Sequence, residues 1–266
     1  MNQQKIGMPY VKTETEIGLI EKSCRIVASA LTLVGKYIKP GIETIEIDII
    51  VEDYIRSKDA KPAFKGYKVD GKTFPKSLCI SIDEEVVHGI PKKRKLIEGE
   101  IVSIDCGAEK NGYFGDSAVT YAVGEISEDK KNLMKVTEEA LFLGIAQAIP
   151  KNKIYDISRI IQTYVEQFGY SVTRELVGHG IGKKLHEEPP VPNFVPPLLH
   201  RKKYPNVKLY RGMALAIEPM VHGGTKNVRT KPDGWTIVTA DGKPAAHFEH
   251  TVIVEENYPI ILTLRD

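Results

Sequence analysis

The sequence predicts a single α+β domain with pseudo-twofold symmetry, in which helices cover one face of a mostly antiparallel, curved sheet. Two observations predict it: helix-like periodicity gives way to short β-prone runs, and this order occurs twice along the chain. The 266 residues are 42% hydrophobic and 27% charged, which suffices to bury a substantial core. We expect residues 1–266 to form one domain, with halves at approximately 13–123 and 127–256.

The first half begins with two helical patterns. Thr13 and Glu16 form a capping box, after which apolar residues recur with helical spacing over residues 17–34. Pro40 ends that helix, and a second pattern runs from 45 to about 56. Short β-prone runs then follow, namely LCISI, EIVSIDC and SAVTYAV, and glycine-bearing turns separate them.

The order of these elements recurs in the second half. ALTLVGKYIKP at 30–40 aligns with ALFLGIAQAIP at 140–150, and GEIVSID at 99–105 aligns with GMALAIE at 212–218. The second alignment places Asp105 on Glu218. Equivalent strands would thus each deliver one acid to a shared centre.

Two acids lie within one predicted hairpin. If Asn111 and Gly112 form its two-residue turn, Asp105 lies opposite Ala118, and Asp116 is its diagonal neighbour on the same face. Two like charges that close on apolar strands share a proton, shift their pKa or hold a cation. The alternative is that this face of the sheet is exposed to solvent.

Two further acids favour the cation. Glu218 ends the run MALAIE, and Glu249 lies in HFEHTVIV. Acids within apolar strands are costly unless they are paired or coordinated. Four carboxylates and a histidine exceed what one tetrahedral ion needs and suit two ions, which together lower the pKa of a water molecule.

The stretch GHGIGKKLHEEPP, residues 178–190, contains His179 and His186. Its glycines and prolines oppose a helix, so we expect a glycine-jointed loop or a short strand that holds two imidazoles near a ligand. The alternative is that both histidines face solvent.

This combination of motifs resembles the methionine aminopeptidases. The resemblance covers nearly the whole chain and rests on the acids and histidine above, on GHGIGxxxHEEP, on IEPM at 217–220 and on FEHT at 248–251. It implies the "pita-bread" fold and removal of the initiator methionine from new proteins whose second residue is small. The short segment between Glu218 and Glu249 resembles the bacterial type I enzymes.

The resemblance also implies roles for individual residues. Two divalent ions, of Co, Mn, Fe(II), Zn or Ni, would be held by five ligands, with Asp116 and Glu249 bridging: Asp105, Asp116, His179, Glu218 and Glu249. His186 would contact the substrate carbonyl, His88 would reach the scissile amide, and Glu218 would carry the proton. The methionine pocket would be formed by Tyr67, Phe74, Cys79 and Trp235, with Phe64 a weaker candidate.

Three features depart from the family pattern. The segments 68–73 and 194–211 are longer than in many members, and Leu185 stands where an aromatic residue is common. The longer second segment either covers the site or lies at its rim.

Composition limits the partners and the compartment. A net charge of +2 argues against DNA as the main partner, and we interpret the basic clusters 92–95 and 200–203 as solvated loops, with a ribosome contact as the alternative. Three widely spaced cysteines indicate a reducing compartment. With no targeting signal and no long apolar run, we expect a cytoplasmic protein. The family resemblance further implies a monomer that acts on the N-termini of nascent proteins.

Two other functions share this pattern. Prolidases and proline-specific aminopeptidases have the same fold and similar ligands. Non-enzymatic pita-bread proteins bind polypeptides, histones or RNA, but they typically lose ligands, and all five positions are filled here.

Overall fold

The computed structural model describes residues 10–265, so the expectation that residues 1–9 contain no targeting signal lies outside the described part. This described range contains four α-helices: α1 (Glu14–Gly35), α2 (Thr44–Ser57), α3 (Glu128–Ala146) and α4 (Ile154–Gln167). The strands, in chain order, are β1 (Lys61–Pro62), β2 (Lys68–Val69), β3 (Lys72–Thr73), β4 (Leu78–Ile82), β5 (Glu85–Val87), β6 (Ile101–Lys110), β7 (Tyr113–Ala122), β8 (Ser171–Val172), β9 (Gly178–Gly180), β10 (Glu187–Val191), β11 (Ala214–Ile217), β12 (Met220–His222), β13 (Val228–Thr230), β14 (Ile237–Thr239), β15 (Ala245–His247), β16 (His250–Ile253) and β17 (Ile260–Ile261). A 3₁₀ turn spans Leu198–His200.

The predicted α+β architecture with antiparallel sheets is confirmed. Strand β6 pairs with β1, β4 and β7, and a five-stranded sheet has the order β10-β9-β11-β16-β17. The strand pairs of both sheets are antiparallel. None of the described helices is both long enough and apolar enough to cross a membrane.

The helix predictions for the first half are also confirmed. Thr13 caps α1, and Glu16 completes the capping box. Helix α2 begins at Thr44, one residue before the predicted start. Helix α4, the second helix of the predicted second half, has the same length of 14 residues as α2. The division of the chain into two duplicated halves stays a prediction.

The hairpin of β6 and β7 forms with the predicted turn. Asn111 and Gly112 both have positive φ, 55° and 78°, as a type I′ turn requires. Asp105 pairs with Ala118, so Asp116 is its diagonal neighbour, as the sequence predicted. The same face of the same two strands therefore presents both carboxylates.

Helix α1 packs closely on β7 because Gly115 has no side chain. A Cβ at Gly115 would lie 2.5 Å from the backbone nitrogen of Cys24 and 2.8 Å from its Cα. We expect Gly115→Ala to destabilise the fold by about 2 kcal/mol in denaturant unfolding, because the backbone of α1 must move.

The matched control is Gly18→Ala near the start of α1, where the residue is half-buried and a Cβ would meet nothing within 4 Å. This change is expected to stabilise by about 0.5–1 kcal/mol, since glycine inside a helix loses more backbone entropy than alanine. Equal effects of the two substitutions would show that α1 does not need this close approach.

Candidate metal centre and its cavity

A cavity of about 360 Å³ contains every residue that the sequence singled out for the site. Its volume lies within the usual range for small-ligand pockets. It is lined by the five predicted ligands, both predicted catalytic histidines and all five pocket candidates: Phe64, Tyr67, Phe74, Cys79, His88, Asp105, Asp116, His179, His186, Glu218, Trp235 and Glu249. The chain thus brings together residues that are spread over 186 positions of sequence, from Phe64 to Glu249.

Two strand pairs deliver the four carboxylates. In the pairing of β11 with β16, Ile217 lies opposite His250, so Glu218 and Glu249 come directly beyond the end of the pair. Glu249 lies between β15 and β16 rather than within a strand, and its backbone N–H donates to the carbonyl of Ala118 at 3.0 Å. That bond places Glu249 beside the hairpin that bears Asp105 and Asp116.

Hydroxyl groups join β7 to β16 at this point. The Thr251 Oγ1 hydroxyl donates to the carbonyl of Asp116 at 2.7 Å and accepts from its N–H at 3.3 Å. Ser117 Oγ donates to the carbonyl of Glu249 at 2.5 Å. These bonds fix the backbone on both sides of the cluster, so its carboxylates are held close together by the fold.

His179 lies on β9, as the expectation of a short strand allowed. It pairs with Ala216 on β11, two residues before Glu218, and only 9% of the residue is exposed, which rules out the solvent-facing alternative for His179. Its Nδ1–H donates to the carbonyl of Gly180 at 2.9 Å. The lone pair of Nε2 therefore faces the acids, 3.5 Å from Glu218 Oε1 and 4.0 Å from Asp116 Oδ2.

The glycines beside His179 serve strand packing. A Cβ on Gly178 would overlap the carbonyl oxygen of Ala216, and one on Gly180 would overlap that of Glu188. Glycine at both positions lets β9 lie between β10 and β11.

The donor set fits divalent metal. Buried oxygens of three acids have no hydrogen-bond partner among the described residues: Asp105 Oδ1, Asp116 Oδ1 and Glu249 Oε1. Single ligand atoms of Asp116, His179 and Glu249 lie within 4.8 Å of one another. Unpartnered carboxylate oxygens in a buried site are strongly unfavourable, and a hard or intermediate cation satisfies them.

Burial and mutual repulsion raise the pKa values of these carboxyl groups. Burial raises the pKa of Asp105 to about 7. The pKa of Asp116, Glu218 and Glu249 is raised well above its usual range, first by burial and then by the neighbouring acids. Burial lowers the pKa of His179 to about 3, so this imidazole is a neutral ligand at pH 7.

His88 and His186 lie at the cavity wall without an acidic partner. His88 follows β5 with φ of 59°, a conformation that a non-glycine residue rarely adopts outside functional or turn positions. His186 lies directly before β10, and its Nδ1 is 2.5 Å from the hydroxyl of Tyr67. Burial lowers the pKa of His88 to about 4, and desolvation within the cavity wall lowers that of His186 to about 4, so both are neutral N–H donors at pH 7. His186 is nevertheless exposed to solvent, so the solvent-facing alternative holds in part for this residue.

One side of the cavity is apolar. Phe64, Phe74, Cys79 and Leu185 form a buried cluster, against which Tyr67 and Trp235 pack. The rings of Phe74 and Trp235 meet edge-on at 5.2 Å between centroids. Leu185 stands at the position where an aromatic residue is common in the family, and it is buried in this wall with 3% exposure.

The two longer segments have different positions. Residues 68–73 form the hairpin of β2 and β3, and Val69 lines the cavity mouth. None of the described lining residues falls within 194–211. That segment packs beside α4, where Ile154 donates to the carbonyl of Val207, so it neither covers the site nor forms its rim.

His247 is the titratable lining residue that the sequence analysis missed. His247 is 1% exposed, both of its ring nitrogens lack a hydrogen-bond partner among the described residues, and its Nε2 lies 3.9 Å from Glu218 Oε2. Its position two residues before Glu249 in a β-prone run was the available signal, because alternate residues share a face. Burial, together with nearby His88, lowers its pKa to about 3.

The chain is similar to known metallopeptidases over nearly its whole length. The model of metallopeptidase family M24 matches residues 18–256. A methionine aminopeptidase of Clostridium acetobutylicum is 50% identical over 258 residues, which is 97% of this chain and 99% of the relative. Methionine aminopeptidase 1 of Bacillus subtilis is also 50% identical, over 96% of this chain and 99% of its own.

Solved structures agree. The crystal structure of methionine aminopeptidase from Thermotoga maritima superposes with a TM-score of 0.90 at 44% identity and covers 97% of this chain and 100% of its own. Prolidase from Pyrococcus furiosus gives a TM-score of 0.77 at 24% identity, with 97% of this chain and 66% of the prolidase chain covered. The second likeness shows a shared fold alone.

Proposed function

Because the chain belongs to metallopeptidase family M24, we propose that it removes the initiator methionine from new proteins whose second residue is small. The observation that carries this proposal is the apolar cluster of Phe74, Cys79 and Trp235, which lies in the same cavity as the carboxylates and His179. Membership of the family implies the use of divalent metal and a peptide substrate. The 50% identity to methionine aminopeptidases over nearly the whole chain supports this substrate over the alternatives.

When loaded, the proposed centre would hold two ions, of Co, Mn, Fe(II), Zn or Ni. The residues that would hold them are Asp105, Asp116, His179, Glu218 and Glu249. When bound, such ions lower the pKa of a water molecule and neutralise negative charge that develops on the substrate. The partnerless oxygens and the neutral His179 support this assignment.

The proposed mechanism assigns the remaining steps to protein groups. The methionine side chain enters the apolar wall, where a flexible thioether packs well against Phe74 and Trp235. His186 donates its N–H to the carbonyl oxygen, where negative charge develops, and His88 donates to the scissile amide. Glu218 takes the proton from the attacking water and passes it to the leaving amine.

Further proposals concern the compartment, the oligomeric state and a ribosome contact. We place the protein in the cytoplasm as a monomer, where nascent chains are available. The exposed basic residues 200–203 support a contact with ribosomal phosphates, because clustered cations bind nucleic-acid backbones. Pelleting with ribosomes at low and high salt tests that contact.

A substrate comparison tests the proposed function. The purified protein, metal-free and then loaded with Mn, Co or Fe(II) under anaerobic reducing conditions, is incubated with Met-Ala-Ser and with Ala-Pro-Ser. We expect metal-dependent release of methionine and little attack on the proline peptide. Release of alanine alone would assign the chain to the proline-specific enzymes, and no release with any metal would support a binding protein.

A further inference from the structure

The side chain of Tyr67 makes a polar contact that a pocket wall does not need. Its hydroxyl oxygen lies 2.5 Å from Nδ1 of His186, and the two rings meet edge-on at 80° with centroids 5.2 Å apart. No other residue of the described range 10–265 accepts a hydrogen bond from this hydroxyl. Phe64, Phe74 and Trp235 already supply the apolar surface of the pocket.

The backbone holds Tyr67 firmly in this position. Its N–H donates to the carbonyl of Phe64 at 2.9 Å, and its own carbonyl accepts from the N–H of Phe74 at 2.8 Å. Tyr67 and Phe74 are thus the two ends of the β2–β3 hairpin, whose strands pair Lys68 with Thr73. Because Phe74 is in turn packed on Trp235, the base of the hairpin is anchored in the cavity wall.

The direction of the hydrogen bond follows from the chemistry of the two groups, whose polar atoms lie 2.5 Å apart. A phenol O–H, with an ordinary pKa of about 10, is a stronger donor than the N–H of a neutral imidazole, and an imidazole lone pair is a stronger acceptor than a phenol oxygen. The favoured arrangement therefore has Tyr67 donating to the lone pair of Nδ1. A neutral imidazole that accepts at Nδ1 must bear its proton on Nε2.

We propose that Tyr67 is a positioning residue that fixes the tautomer of His186, so that Nε2–H remains as a donor toward the substrate. This inference rests on the proposed function for the identity of the substrate, because a carbonyl oxygen that gains negative charge requires a donor and not a lone pair. The hairpin 68–73 then has a role in the reaction, since it holds the phenol against His186.

Nuclear magnetic resonance reads the tautomer without any turnover. The full chain is labelled with ¹⁵N-histidine and loaded with diamagnetic zinc, and the His186 signals are assigned by their loss in His186→Asn. We expect the neutral tautomer protonated at Nε2 in the unmodified protein and a mixture of tautomers in Tyr67→Phe. Tyr37→Phe, on an exposed tyrosine of another region, is the matched control and should leave the pattern unchanged.

Kinetics separates positioning from pocket packing. With Met-Ala-Ser as substrate, Tyr67→Phe keeps the ring and should lower kcat about tenfold with KM changed less than about twofold. Phe74→Leu, which alters the apolar wall, should mainly raise KM. In a His186→Asn background, Tyr67→Phe should have no further effect on kcat, because the group that it positions is absent.

The resonance and kinetic measurements distinguish a failure of the role of Tyr67 from a failure of the proposed function. An Nδ1–H tautomer in the unmodified protein, or a pattern unchanged by Tyr67→Phe, would overturn the role of Tyr67 whatever the enzyme cleaves. An intact tautomer effect in a protein that releases no methionine would instead contradict the proposed function and leave the Tyr67–His186 relation standing.

Discussion

Glu218→Gln is expected to lower methionine release by about 10³-fold in metal-loaded protein, because the amide cannot accept a proton from water and lacks the negative charge of the carboxylate. The change is nearly isosteric, and the backbone of Glu218 is held independently, since Asn193 Nδ2 donates to its carbonyl at 3.0 Å. The loss should therefore appear in kcat without unfolding. Single-turnover kinetics with Met-Ala-Ser, together with metal analysis of the variant, measures it.

Glu100→Gln is the matched control for this prediction. Glu100 is 9% exposed and forms an ion pair with Arg94, and it is not among the described residues that line the cavity. We expect this variant to retain kcat while losing some stability. Near-normal turnover by metal-loaded Glu218→Gln would show that another group moves the proton.

Metal removal should make the stability of the protein fall as pH rises. Burial raises the pKa of Asp105 from 3.8 to about 7 in the metal-free protein, and the pKa values of Asp116, Glu218 and Glu249 are raised well above their usual range. A group whose pKa is raised by folding stabilises the protein below its unfolded pKa and loses that effect as pH rises through the folded value. The melting temperature of the chelated protein should thus fall by about 10 °C between pH 5 and pH 8.

Asp116→Asn tests the cause of this pH dependence. It removes one charge from the cluster, so it should stabilise the metal-free protein at pH 8 by about 2 kcal/mol and should also weaken metal binding. Thermal unfolding with and without Mn at pH 5 and pH 8 measures both effects. A chelated protein with a flat pH profile would contradict the view that these acids form one repulsive cluster.

The β6–β7 hairpin is the part of the site that sequence reasoning places best. Two-residue turns with Asn-Gly fix the register of a hairpin, and the period of two along a strand then decides which side chains share a face. The relation of Asp105 to Asp116 follows from these local rules alone. The capped start of α1 is local in the same sense, because Thr13 and Glu16 are close in sequence.

Other features of the site depend on pairings between distant segments. The position of β11 between β9 and β16 brings His179 to Glu218, and no turn rule predicts a partner at that separation. Without the family resemblance, the convergence of His88 and Glu249 on one cavity would not follow from spacing. His247 escaped notice because its short strand lies among loops, where periodicity is weak.

The contacts of the hairpin 68–73 were only partly predictable from the sequence. Its Asp-Gly turn signal at 70–71 was readable, yet the sequence does not indicate that the base of the hairpin contacts His186. Such contacts depend on the path of two loops over the cavity. They are the features for which the three-dimensional structure adds most.

The most direct test of a metal-dependent methionine aminopeptidase is a titration of metal-free protein with Mn, in which bound metal per chain and the initial rate of methionine release from Met-Ala-Ser are measured together. The account predicts no release without metal, a rate that rises with occupancy, and its loss when a chelator is added. Release at an unchanged rate from demonstrably metal-free protein, or none at full occupancy, would contradict it.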